Sequence, residues 1–90
     1  MEDTITKYKD PVSIAFELDG SIQRLSETSS PFKKLTIQAK DSNNDTVLYG
    51  GEDPVMQLLP GASEVFYNSD LQRIRVQGTN GEFVNILVEN

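Results

Sequence analysis

Apolar and polar residues alternate along most of this chain with a period of two, the period of an extended strand with one face buried. In "VSIAFEL" the side chains of Val12, Ile14, Phe16 and Leu18 share a face, and Asp19-Gly20 supplies a turn. "LTIQA" sets Leu35, Ile37 and Ala39 against Thr36 and Gln38, and "TVLYGG" continues with Val47 and Tyr49. After Pro54, "VMQLLPGASEVFY" reads as a short strand, a Pro60-Gly61 turn and a strand through Val65 to Tyr67. "LQRIRVQG" switches faces residue by residue from Leu71 to Val76, and "EFVNILVE" follows the turn "GTNG". No segment keeps apolar residues at i, i+3, i+4 and i+7 for three turns, so no α-helix is expected.

Seven or eight short strands at close spacing predict an all-β fold: a small antiparallel β-sandwich, with jelly-roll topology among the ways to connect it. The expected core is Ile14, Phe16, Leu35, Ile37, Val47, Tyr49, Leu58, Val65, Ile74, Val76, Val84 and Ile86. Residues 1–11 offer little to bury and read as a flexible N-terminal arm, leaving 12–90 as one domain.

The last strand has an apolar excess. Val84, Ile86 and Val88 occupy one face, yet Phe83 and Leu87 lie on the other, separated by Asn85. A strand with one face in the core and one in water has no need of a second apolar face, so a covering surface is expected. "VFY" repeats the excess, with Phe66 opposing the face of Val65 and Tyr67. Phe83, Leu87 and Phe66 are therefore the expected subunit interface of a homo-oligomer, against the alternative that an N-terminal strand or a loop of the same chain folds over them.

Composition narrows the chemistry. The chain has 90 residues, no Cys, no His and a net charge of -6. No disulfide or Cys-based zinc site can reinforce so small a core, and the commonest general base and thiol nucleophile are missing. An enzyme is not expected, nor is a cofactor or metal. Eight scattered basic residues do not make a phosphate-binding patch, which argues against nucleic acid. No apolar run is long enough to cross a bilayer, and the acidic, polar start "MEDTITKYKD" lacks the pattern of an export signal. The reading is of a soluble protein made in the cytoplasm and kept there until assembly or release.

Each individual motif also has a plainer role. Asp41, Asn43, Asp45 and Glu52 meet the calcium-loop template, but Thr46 stands where the template needs Gly, and strands rather than helices flank the segment. A hairpin turn through Asn43, Asn44 and Asp45 is the expectation. Glu52-Asp53 with Glu64 resembles a hydrolytic carboxylate pair only on paper, since ninety residues of sandwich seldom enclose the cleft it needs. "GTNG" has no following helix to make a phosphate cradle and reads as a hairpin turn with Gly81 at positive φ. Arg73 and Arg75, and Lys33-Lys34, read as solvated basic pairs that could also meet an acidic neighbouring subunit.

Three pieces, "LTIQAKDSNNDTVLYGG", "LLPGASEVFY" and "DLQRIRVQGTNGEFVNILVE", read in order, resemble a group of small structural proteins of tailed bacteriophages and prophages. In that group a "vtIkA" strand leads through an Asn-rich turn into "TvyvGg", and a variable loop reaches an "lxPGes" turn. A "dLskiyv-G-tgG-xvnvl" hairpin follows. Asp45 stands where a Gly is common, and the loop from Glu52 to Gln57 is shorter than usual. The resemblance spans residues 12–88 and implies a β-sandwich that decorates or cements a virion surface, bound to the major capsid protein, or that forms a tail or baseplate module. It also implies localisation in the virion, with a trimer favoured because the group assembles on symmetric lattices. The alternative is a carbohydrate-binding or host-adhesion module of a phage tail, for which Tyr8, Phe32, Phe66 and Tyr67 would be the aromatic platforms.

Overall fold

The chain's turns are set by short-range chemistry that leaves little choice of backbone. At Pro60-Gly61 the glycine sits at φ 83°, a left-handed conformation that residues with a Cβ rarely adopt, and its N–H donates to the Ala39 carbonyl at 2.8 Å. At the "GTNG" turn Gly81 has the expected positive φ, 89°, and its N–H donates to Leu18 O at 2.8 Å, but the turn is not the expected hairpin, because the strands on its two sides lie in different sheets. Between such turns, the computed structural model, which describes residues 11–90, contains eight strands. They are β1 (Val12–Glu17), β2 (Gln23–Arg24), β3 (Pro31–Ala39), β4 (Val47–Gly50), β5 (Pro54–Leu58), β6 (Ser63–Asp70), β7 (Arg75–Gln77) and β8 (Phe83–Glu89). The expected N-terminal arm falls, apart from the exposed Pro11, outside the described residues.

The strands form two antiparallel four-stranded sheets, ordered β1-β8-β3-β6 and β2-β7-β4-β5. The primary pairs nest: β4 with β5, β3 with β6, β2 with β7 and β1 with β8. Successive pairs fall in alternate sheets. One long two-stranded ribbon rolled in this way is the eight-stranded jelly roll, so the small antiparallel β-sandwich and the jelly-roll connection both hold.

The core lies between the sheets. Leu18, Leu35, Ile37, Val47, Val76 and Val84 are fully buried, and Tyr49, Leu58, Ile74 and Ile86 join them as expected. Leu25, Phe32, Ala39, Leu71 and Val88 complete the core. Three expected core residues differ. Ile14 is 44% exposed and Phe16 half-buried, because β1 is an edge strand and the two-residue β2 is too short to roof its whole length. Val65 is 36% exposed because β6 presents the opposite face to that expected. The register Thr36↔Val65 and Lys34↔Tyr67 aligns Val65 and Tyr67 with the outward residues of β3, while Leu35↔Phe66 turns Phe66 inward.

A second difference concerns "LQRIRV". Leu71–Arg73 is a 3-10 turn, and β7 begins only at Arg75. Leu71 and Ile74 are both buried, which a period of two forbids and a period of three allows. Asp70 starts the turn: its carboxylate accepts from Ser29 Oγ at 2.6 Å, Ser30 N at 2.7 Å and Gln72 N at 2.9 Å. Arg73 is thus on a turn and Arg75 on a strand, where its guanidinium donates to Gly51 O at 3.2 Å. The two arginines do not share a strand face.

Candidate docking face

The outer face of the β1-β8-β3-β6 sheet can be built row by row from the strand register. One row holds Tyr67, Lys34 and Glu89; the next Val65, Thr36, Leu87 and Ser13; the third Ser63, Gln38, Asn85 and Ala15; the fourth Phe83 and Glu17. The outer rows carry long side chains. Lys34 pairs with Glu89 at 3.9 Å, and the Lys40 ammonium sits 5.1 Å from the centre of the Phe83 ring. The middle rows carry mostly small ones. The result is a shallow trough across the sheet, of about 510 Å³, with Ser13, Ala15, Thr36, Gln38, Ser63, Asn85 and Leu87 along it.

Its floor has a distinct chemistry. No ionisable side chain stands in the two middle rows, so the electrostatic field over the trough comes from its ends. Three hydroxyls and two amides project into it. Most side-chain hydrogen bonds among the described residues are made at turns and loops, by Asp19, Asn43, Asp70 and Glu82 among others, and none of them uses the side chains of Ser13, Thr36, Gln38, Ser63 or Asn85. Such a surface can hydrogen-bond a neutral partner, bury Leu87 and Val65 beneath it, and stack against Tyr67, which is 65% exposed.

The expected interface residues divide. Phe83 and Leu87 stand on this face, each half-buried, at the fourth and second rows. Phe66 does not join them: it packs against the core, its ring T-shaped to Tyr49 with centroids 6.0 Å apart. Tyr67 and Val65 take its place on the outer face. The signal for this exchange was the Pro60-Gly61 turn, whose position relative to Ala39 sets the β3–β6 register. Of the proposed aromatic platforms, Phe32 is buried and Tyr8 lies outside the described residues.

The other motifs resolve into structural roles. The connection from Asp41 to Thr46 crosses from β3 to β4 in the other sheet, so it is a turn but not the expected hairpin, and Asn43 is buried in it. The Asn43 side chain donates to Phe83 O at 2.9 Å and accepts from Phe83 N at 3.2 Å, and Glu82 accepts from Asn44 N at 2.6 Å and from Asp45 N at 3.3 Å. Both are engaged in stapling the loop to the start of β8 and do not face a common cation. Among the described residues no group of three or more His, Cys, Asp or Glu side chains is placed to hold a metal. Glu64 accepts from the Tyr49 hydroxyl at 2.8 Å, which holds its carboxyl below the ordinary range, while burial first and Glu64 second push the Tyr49 phenol up. Hydrogen bonds from Ser29, then Ser30 and Gln72, hold Asp70 low in the same way, and Ser21 does so for Asp19. A depressed carboxyl is the reverse of what a general acid needs. Compared with protein-family models, curated proteins and solved structures, the chain matches none.

Proposed function

We propose that this chain is a structural protein of a bacteriophage virion, a decoration or cement protein that docks on the capsid lattice by the outer face of the β1-β8-β3-β6 sheet. The observation that carries the reading is where the resembling motifs lie in the fold. "LTIQA" is the central strand β3, and "TVLYGG" is β4 with the close approach at its end. There a Cβ on Gly50 would meet the Asp53 carbonyl at 2.8 Å. "LLPGASEVFY" is the β5–β6 turn, and "DLQRIRV" is the Asp70-capped turn running into β7. The likeness thus falls on the residues that determine turns and register, where a shared fold constrains sequence most. The jelly roll is also a common architecture of viral capsid proteins, an argument by analogy of fold. The partner is the major capsid protein together with other copies of this chain.

The test is binding to purified phage heads that lack the protein. Saturable binding at a fixed ratio per capsid subunit, weakened at least tenfold by Leu87→Arg, is the expected result. Absence from purified particles and from the head-binding assay would overturn the reading.

The neutral trough favours a second reading, a carbohydrate-binding adhesion module, because five hydrogen-bonding side chains without partners among the described residues, beside an exposed tyrosine, suit a polyhydroxylated ligand. Binding on a glycan array that Tyr67→Ala abolishes would select this reading over the first.

A further inference from the structure

A β-sandwich has four sheet edges, and each unpaired edge is a template for another strand unless something blocks it. Three of the four are blocked in this chain. The edge strand β2 is two residues long. The edge strand β5 starts at Pro54 and breaks register against β4 between Tyr49 and Gly50. The edge strand β6 carries Asn68 at φ 52° in its span and has Glu64 and Asp70 near its ends.

The fourth edge, β1, has none of these devices except a single terminal charge, Glu17. Its six residues, "VSIAFE", pair with β8 in unbroken register from Val12↔Val88 to Glu17↔Phe83. It contains no proline and one charge. Leu18 bonds toward the β8 side through both its N–H, to Glu82 O, and its carbonyl, from Gly81 N, each at 2.8 Å. By the alternation of an antiparallel ladder, Phe16, Ile14 and Val12 also face β8, and the N–H and C=O groups of Ser13, Ala15 and Glu17 point out of the sheet. Among the described residues nothing closes the sandwich beneath the same edge. Val12 and Ile14, on the inward face, are 47% and 44% exposed, above a cleft of about 350 Å³ that Pro31, Leu71 and Val88 also line.

We propose that β1 is a self-pairing edge: two copies of this chain join β1 to β1 about a two-fold axis at Ala15, making one continuous eight-stranded sheet. The sequence of the edge is complementary to itself in that register. Ala15 meets Ala15, Ile14 of one copy stands opposite Phe16 of the other on the inward face, and Ser13 stands opposite Glu17, so the two carboxylates never oppose each other. Aromatic and β-branched residues directly opposite stabilise an antiparallel pair. In a chain of net charge -6, an edge with a single carboxylate, set opposite Ser13 rather than its own mate, adds little like-charge repulsion between copies. This pairing depends only on the geometry of the edge, whether or not the chain belongs to a virion.

The test is the mass of the full chain by sedimentation equilibrium from micromolar to millimolar concentration, with variants at one position. Ala15→Pro removes an outward N–H without touching the β1–β8 bonds, and Ala15→Lys places a charge on the edge. Both are expected to give monomers with unchanged far-ultraviolet circular dichroism, whereas Leu87→Ser, on the trough, stays dimeric. The chain has no Cys, so Ala15→Cys introduces a single thiol. At the two-fold its Cα lies about 5.5 Å from its mate, within disulfide reach, and mild oxidation is expected to cross-link the dimer. A chain that stays monomeric throughout, or a dimer that both Ala15→Pro and Ala15→Lys leave intact, overturns the proposal. So does protection of the Ala15 amide from hydrogen exchange in a monomeric sample, because the chain would then be covering its own edge. A dimer that the Ala15 variants disrupt but Ala15→Cys fails to cross-link overturns the two-fold at Ala15.

Discussion

Single residues in this protein do their work where the loops are tied to the sheets. Asn43 is the buried polar residue of the core region, and the Phe83 N–H has its side-chain oxygen as acceptor. Asn43→Ala leaves that half-buried donor without its protein partner, which costs about 1 kcal/mol and, in a domain of this size, about 4–8 °C of melting temperature per kcal/mol. Asn43→Asp keeps the acceptor but turns a carboxylate oxygen toward Phe83 O, so it should destabilise as much or more; denaturant titration of the two variants checks the order. Asp70 shows the same principle with a charge. Its folded pKa lies below the ordinary aspartate value, so its contribution is present above the unfolded pKa and is lost as pH falls through the folded one. Asp70→Ala should therefore melt below the wild type at neutral pH, and the gap should close in the acid range below about pH 4. A gap that is constant from pH 7 to strong acid would contradict the capping role.

At the scale of elements, period and turn chemistry were legible and face choice was only partly so. Leu35, Ile37 and Val76 alternate with polar neighbours, and a single hydrophobic period leaves them one way to face. "VFY" has three apolar residues in a row, so either parity buries some of them. The Pro60-Gly61 turn decides, through a register that local pattern does not reveal. "LQRIRV" failed differently: its alternation matches a strand as well as it matches a capped 3-10 turn, and only the distant bonds from Ser29 and Ser30 to Asp70 choose between them. The docking face was half legible for the same reason, with Phe83 and Leu87 found by parity along β8 and Phe66 misplaced by parity along β6. The β6 orientation makes a sharp prediction. Val65→Thr, on the outer face, should change stability by less than about 0.5 kcal/mol, whereas Phe66→Ala should cost about 1–3 kcal/mol through lost packing on Tyr49. Equal effects in thermal melts would mean that β6 does not present these faces.

The whole molecule is governed by its nested pairing. In a rolled ribbon the pair that closes the shortest loop is β4 with β5, joined through Gly51, Glu52 and Asp53, and the pair that closes the longest is β1 with β8. Loop closure costs entropy before any contact rewards it, so the inner hairpin is the least costly nucleus and the outer pair the most costly to form early. Nearly all-β topologies with such non-local pairing fold in milliseconds to seconds, far more slowly than helical bundles of equal length. Two buried residues at opposite ends of this order separate the steps. Leu58, in β5 opposite Val47, belongs to the inner hairpin, and Val88, in β8 opposite Val12, to the outer pair. Leu58→Ala should slow refolding in proportion to its loss of stability, while Val88→Ala should leave refolding almost unchanged and speed unfolding. Stopped-flow chevrons of the two variants, measured dilute enough to exclude self-association through β1, decide the matter. The reverse pattern, with Val88→Ala slowing refolding and Leu58→Ala acting on unfolding, would mean that the roll closes from its outer ends inward.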